Sequence, residues 1–241
     1  MLKTIGIIGG MGPAATVDLM SRIISMTDAA SDQEHIHMIV DSDTRIPDRT
    51  EAILGTGESP APEMLASAKR LEAAGADFII IACNTAHYFV PEIKDKIGIP
   101  ILEMPDETAK LLKLKGVNRA AVLATDGTVQ SGIFGAALER YGIQTVYPDD
   151  EQQKLLMSLI YDYIKKGITD AAQLPCAEFR NMIGDLSREG AEVVLLACTE
   201  LPIAFSIMGL RSDAFVDPTI VLAKSAIRMA GANIRGSANR Q

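Results

Sequence analysis

The sequence predicts an α/β protein built as two pseudo-symmetric, three-layer α/β domains with mostly parallel sheets. Three observations carry the prediction. Short β-branched apolar runs alternate with helical patterns along the whole chain, which is how parallel βαβ connections read. Several runs, among them 78–82 and 193–197, are apolar throughout, so they describe strands covered on both faces. The chain also repeats itself at an offset of 115 residues: 71–85 (LEAAGADFIIIACNT) aligns with 186–200 (LSREGAEVVLLACTE), placing Gly75, Ala76, Ala82 and Cys83 on Gly190, Ala191, Ala197 and Cys198. A repeat of that length is the trace of a duplicated structural unit.

In chain order, strands are expected at 4–8, 36–40, 78–82, 99–102, 119–124, 143–147 and 192–197, where apolar and β-branched residues run together. Helices are expected at 14–26, 62–74, 106–114, 133–141, 151–165 and 177–190, with a last helix at 218–230 returning to the first half. The 115-residue offset also carries Ile7-Ile8-Gly9 onto Val122-Leu123-Ala124 and Gly12 onto Gly127. Each half therefore opens with a strand entering a small-residue turn. Each later has a helix, a Gly-Ala-acid turn, a buried strand and a cysteine. The first domain is expected at 1–100 plus about 215–235, and the second at 101–214. The polar tail 236–241 reads as a frayed end.

Composition narrows the function classes. Apolar residues make up 48% of the chain, too many for a disordered segment. The formal charge is −8, with no basic stripe, which disfavours nucleic acid because phosphate contacts dominate that affinity. A site for an anion must then be locally positive against the global field. The longest apolar runs span about six residues, where a membrane helix needs about 20. The first residues show no signal-peptide cleavage pattern, so a cytoplasmic location is expected. Three cysteines in a reducing compartment read as reactive or buried thiols rather than disulfides.

Ligands of open α/β sheets sit beyond the carboxyl ends of the strands, where the repeat places both Cys83 and Cys198. Each is followed by hydrogen-bonding residues, Asn84-Thr85 and Thr199-Glu200. A pseudo-twofold relation between the halves would set one thiol on each side of a cleft at the domain interface. That arrangement suits removing a proton from one face of a carbon and returning one to the other. A cysteine at a helix start can have a lowered pKa and act as a general base; a buried-strand cysteine is otherwise a small core hydrophobe. Cys176 has no repeat partner and reads as structural.

With these residues in view, the chain resembles the aspartate/glutamate racemase family, cofactor-independent isomerases with two catalytic cysteines. The matching segments are GIIGGMGP at 6–13, IPDRT at 46–50, ACNTAH at 82–87, ATDGT at 124–128 and ACTELP at 197–202. The last looks closer to the aspartate racemase branch. Glutamate racemases typically carry His where this chain has Glu200, and Asp-Ser-Gly where it has Gly9-Gly10-Met11. The resemblance implies that Cys83 and Cys198 are paired catalytic bases. It implies that Asn84, Thr85 and Thr199 grip the substrate's α-carboxylate and amine, with Met11, Thr125, Thr128 and Glu200 bordering the pocket. Arg49 would hold the distal carboxylate through its planar fork, with Lys165 (or Lys166, one residue on) as a second cation. It further implies a small dicarboxylic amino acid as partner, a homodimer, and no cofactor or metal.

Other readings of the same residues stand beside these. Arg49 could pair with Asp48 or Glu51 at the surface. Lys165 and Lys166 could complement a helix end. Glu200 could cap a helix, and His87 reads first as a satisfied interior histidine. His35 and His37 alternate on one strand face without a third ligand at metal spacing. Gly10-Met11-Gly12-Pro13-Ala14-Ala15 formally matches the dinucleotide-binding G-x-G-x-x-A, with Asp41 as the acid. A non-catalytic two-lobed binder, a hydantoin racemase, a maleate isomerase and an arylmalonate decarboxylase remain alternatives; the decarboxylases need one cysteine rather than two.

Overall fold

The first apolar run forms β1 (Ile5–Gly9), buried at every residue. In the computed structural model, which describes residues 2–168 and 170–236, β1 is the middle of a three-stranded sheet. Its neighbours are β2 (Met38–Ser42) and β3 (Phe78–Ile81), both parallel to it. A second sheet has the order β5-β4-β6-β7, formed by β4 (Arg119–Leu123), β5 (Gln144–Val146), β6 (Val193–Leu196) and β7 (Phe215–Val216), again parallel throughout. The chain divides into two units, one of Met1–Glu107 with Thr219–Gln241 and one of Thr108–Pro218.

The 115-residue offset is reproduced in the hydrogen-bond register. Ile5 pairs with Phe78 and Ile8 with Ile81. Their counterparts Ala120 and Leu123 pair with Val193 and Leu196. The preceding helices, Ala61–Ala73 and Cys176–Arg188, obey the same offset at both ends. Both stop in the same way. Gly75 and Gly190 take φ of +95° and +91°, a conformation that favours glycine. The next residue, Ala76 or Ala191, then donates back to Leu71 or Leu186 at 3.1 Å, which satisfies a helix-end carbonyl.

The acid after each Gly-Ala pair also has a structural task. Asp77 accepts the Thr4 N–H at 2.6 Å. Glu192 accepts the N–H groups of Asn118 and Arg119 at 2.9 and 3.1 Å. In each unit this carboxylate pins the start of the neighbouring central strand and so sets its register.

Alternation along the strands sends residues to two faces. In the first unit Ile5, Ile7, Phe78 and Ile80 pack with Leu222, Ala226 and Ile227 from the helix Pro218–Ala230. Ile8, Ile79 and Ile81 pack on the other face with Met64, Ala68 and Leu71. In the second unit Ala121, Leu123, Val194 and Leu196 pack with Phe179, Met182 and Leu186.

Several elements depart from expectation. The strand expected at 36–40 begins two residues later, at Met38, although the His37 carbonyl already accepts the Ile5 N–H at 3.0 Å. The expected strand 99–102 is a single parallel bridge between Ile79 and Ile101. Pro100 has no N–H to give, so pairing there is limited to its carbonyl, which accepts from Ile79, and to the Leu102 N–H. The helix expected at 151–165 runs as Asp150–Ser158 and then widens into a π turn over Leu159–Ile164. The two-residue β7 was not anticipated. The residues 237–241 of the expected frayed tail lie outside the described residues. None of the described helices is long and apolar enough to cross a membrane.

Candidate functional site

In the first unit the sheet delivers Cys83 just past β3. The Ala82 N–H still donates to the Ile8 carbonyl at 3.0 Å. The chain then turns, and Cys83 is 8% exposed beside Met11, Ile46 and Ala86. Residues Thr85–Phe89 wind into a 3₁₀ turn. Asn84 is 3% exposed, and neither its Oδ1 nor its Nδ2 has a hydrogen-bond partner. A buried amide in that state costs about 1–3 kcal/mol, and it lies one residue from the Cys83 thiol. Thr85 is buried beside it.

Arg49 opens the short helix Arg49–Ile53. Its guanidinium donates to the carbonyls of Pro47 at 3.0 Å, Met11 at 3.2 Å and Ile46 at 3.4 Å, and its Nε is buried without a partner. The ion pair with Asp48 or Glu51 does not form. Asp48 instead caps the helix, accepting from Thr50 and Glu51 N–H. Carbonyls thus orient the guanidinium while leaving its charge uncompensated.

The second unit delivers Cys198 in the same manner. Ala197 donates to the Leu123 carbonyl at 2.8 Å. Cys198, 8% exposed, then precedes the helix Glu200–Ile207. Its thiol donates to Glu200 Oε2 at 3.0 Å, and the Thr199 hydroxyl donates to the same oxygen at 2.9 Å. A lowered pKa is the sequence expectation for a thiol at a helix start. At Cys198 the opposite holds: burial first, then the Glu200 charge and its hydrogen bond, push the thiol well above its ordinary value. The Glu200 N–H and the Lys165 charge pull the other way and do not prevail. Glu200 is therefore no helix cap; its carboxylate is spent on the thiol.

Lys165 stands 3.9 Å over the Tyr161 ring, while Lys166 is tied to Asp162 at 2.9 Å. Of the two, Lys165 is the one whose charge reaches Cys198. Thr125 and Thr128 are buried at the end of β4, their hydroxyls 3.1 Å apart, with Thr125 also capping the helix Asp126–Ser131. Gln153 supports this turn from the helix Asp150–Ser158, donating to the Ala124 carbonyl and to Asp126. No sequence signal marked Gln153.

The remaining candidates have structural tasks. His87 bonds backbone groups through both ring nitrogens, to the Cys83 carbonyl at 2.8 Å and the Met104 N–H at 3.1 Å. Asp41 is paired with Arg70 at 2.6 Å. The Asp43 backbone lies where a Gly10 side chain would fall. Gly12 faces open space, but Asp41, the acid that the dinucleotide reading needs, is taken by Arg70. The Cys176 thiol faces the Ala171 carbonyl at the start of its helix.

Comparison with known proteins fits this architecture. Residues 8–226 match the model of the family described as Asp/Glu/Hydantoin racemase. The chain is 28% identical over 228 residues to the broad specificity amino-acid racemase RacX of Bacillus subtilis (strain 168), covering 92% of this chain and 96% of RacX. It superimposes on Picrophilus torridus aspartate racemase with a TM-score of 0.81 at 36% identity, over 97% and 96% of the two chains. The glutamate racemase of Francisella tularensis subsp. tularensis SCHU S4, solved with D-glutamate, shares the fold at 18% identity, with a TM-score of 0.69 over 94% and 80%. With the two register-matched sheets and the family match over most of its length, the chain belongs to the Asp/Glu/Hydantoin racemase family and is an isomerase of the amino-acid racemase kind.

Proposed function

We propose that this enzyme racemises aspartate, and secondarily glutamate, without a cofactor, using Cys83 and Cys198 as a two-base pair. One observation carries the reading: the two thiols occupy equivalent positions of duplicated, register-identical strand pairs, each 8% exposed and each just past a strand end. The 36% identity to an aspartate racemase over nearly the whole chain supports aspartate as the substrate.

In this mechanism one cysteine, as thiolate, removes the α-proton, and the other, as thiol, protonates the carbanion from the opposite face. In the reverse direction they exchange roles. Glu200 holds Cys198 as the thiol, so Cys198 starts as the acid. When Cys198 must act as the base, the Glu200 carboxylate is placed to accept its proton. The α-proton of an amino acid is only weakly acidic, so the barrier lies in stabilising the carbanion. The unpartnered Asn84 amide, with the Thr85 and Thr199 hydroxyls, supplies donors for the charge that develops on the α-carboxylate. Arg49 takes the side-chain carboxylate and Lys165 adds positive charge, which answers the chain's net charge of −8.

The test is proton NMR of L-aspartate with enzyme in D₂O, with a reductant and without pyridoxal phosphate. Loss of the α-proton signal together with appearance of D-aspartate is the expected result. Exchange without inversion would leave one base misassigned. No exchange with aspartate or glutamate would end the proposal.

A further inference from the structure

The backbone of Cys83 is held by a side chain that is not one of the candidate catalytic residues. His87 lies four residues after Cys83, within the 3₁₀ turn Thr85–Phe89, and is 3% exposed. Its Nε2 accepts the Met104 N–H at 3.1 Å, which places the ring proton on Nδ1. Nδ1–H therefore donates to the Cys83 carbonyl at 2.8 Å and, more weakly, to that of Asn84 at 3.2 Å. The ring joins the backbone of Cys83 to the first residue of the helix Met104–Leu114. A helix N-terminal N–H lacks an intrahelical partner, and here an imidazole nitrogen takes it.

No counterpart exists at Cys198. The 115-residue offset carries His87 onto Pro202, which has neither a ring donor nor an acceptor. The Cys198 side has Glu200 on the thiol itself instead. The duplicated scaffold thus holds its two cysteines by different means, one through its carbonyl and the other through its sulfur.

We propose that His87 is the positioning residue of the Cys83 half-reaction: its neutral ring clamps the Cys83 carbonyl to the Met104 amide and so aims the Cys83 thiol and the adjacent Asn84 amide. The proposal rests on the two-base reading for its kinetic consequence. Its geometric core, that His87 sets the reach of one thiol and not the other, stands without it. Burial keeps the ring neutral, with a pKa lowered to about 4, so the clamp persists across the neutral range. A misplacement of about 1 Å in a reacting group costs on the order of 100-fold in rate.

Two substitutions separate the ring's contacts. In His87→Asn the amide nitrogen falls near the position of Nδ1, keeping a donor for the Cys83 carbonyl and losing the acceptor for Met104. In His87→Gln the amide falls near Nε2, keeping a partner for Met104 and losing the donor to Cys83. The expected result is a kcat within about threefold of the parent for Asn, and a loss of roughly tenfold to 100-fold for Gln, within the cost of misplacing a reacting group. The decisive readout is the isotope effect with Cα-deuterated aspartate, taken separately from each enantiomer. If the Gln variant slows only the Cys83 step, the effect rises in the direction in which Cys83 removes the proton and falls in the other. A variant that is merely less folded loses active enzyme and leaves both isotope effects unchanged; that result overturns the proposal, as does an equal change in both directions.

A second measurement needs no turnover. Iodoacetamide labelling, mapped by peptide mass spectrometry, should change at Cys83 in the Gln variant by threefold or more while Cys198 keeps its parent rate. Equal rates at Cys83 in parent and Gln variant would overturn the clamp. If the parent enzyme exchanges no α-proton, the racemase reading fails, and the labelling result still decides the positioning role.

Discussion

The Cys198 thiol donates to the Glu200 carboxylate at 3.0 Å, and the same carboxylate oxygen accepts the Thr199 hydroxyl at 2.9 Å. This carboxylate adds to burial in holding Cys198 in its protonated form. Glu200→Gln removes the charge and keeps the shape, so the Cys198 thiolate should form at a lower pH than in the parent, with burial still holding it high. The pH dependence of Cys198 alkylation, read by peptide mass spectrometry, measures this. An unchanged or higher midpoint in the variant would show that the Glu200 charge has no hold on the thiol.

Cys83→Ser and Cys198→Ser should each reduce racemisation by about 100-fold or more, the contribution expected of one general acid–base group. The substitutions are nearly isosteric, so the melting temperature should change little. Full activity in either variant would remove that cysteine from the chemistry.

Arg49→Ala removes a guanidinium held by three carbonyls and paired with no carboxylate. A charge-assisted hydrogen bond is worth about 1.5–3 kcal/mol, so kcat/KM for aspartate should fall on the order of 10- to 100-fold. Any turnover of alanine, which lacks the side-chain carboxylate, should fall much less. Equal losses on both substrates would assign Arg49 to the loop alone.

Gly75→Ala and Gly190→Ala place a side chain on backbones at φ +95° and +91°. Each should destabilise its unit by about 1–2 kcal/mol. The loss should be larger at Gly190, where the new Cβ would meet Arg119 at 3.1 Å while Gly75 faces open space. Urea unfolding of the two variants gives the comparison, and equal midpoints would show that the Arg119 side chain yields freely.

His87 stays neutral in the fold down to about pH 4, whereas a free histidine protonates near 6.5. Between those values the unfolded chain binds a proton that the folded chain does not, so stability falls as pH is lowered from about 6.5 to 4. The slope from this one group approaches 1.4 kcal/mol per pH unit. His87→Gln should remove that component from the pH dependence of urea unfolding, and an unaltered slope would mean the ring is not held neutral.

The sequence carried the central strands and both cysteines because each was written twice. The boundaries of Phe78–Ile81 and Val193–Leu196 coincide at an offset of 115, so the two copies of the motif corroborated one another. Elements outside the repeated core were less legible. The two-residue strand at Phe215 is too short to show any period, and Pro100 marked its strand as weak without showing that it would reduce to one bridge. At the site, the residue types were readable and their partners were not. That His87 would meet the Met104 N–H, 17 positions away, depends on where the helix Met104–Leu114 starts, and only the folded chain fixes that. The Glu200–Cys198 contact spans two residues, yet its sign relative to the helix N-terminus turns on burial, which no short motif encodes.

The helix Pro218–Ala230 supplies Leu222, Ala226 and Ile227 to the face of the first sheet that carries Ile5, Ile7, Phe78 and Ile80. A segment more than 130 residues beyond Phe78 must therefore leave the ribosome before that face of the sheet is completed. Until then Leu19, Ile23 and Met104 cover that face only in part, and the remainder is open to solvent or to a chaperone. A nascent chain halted before residue 218 would present the apolar surface left for this helix, so these strands depend on a much later segment for protection from aggregation.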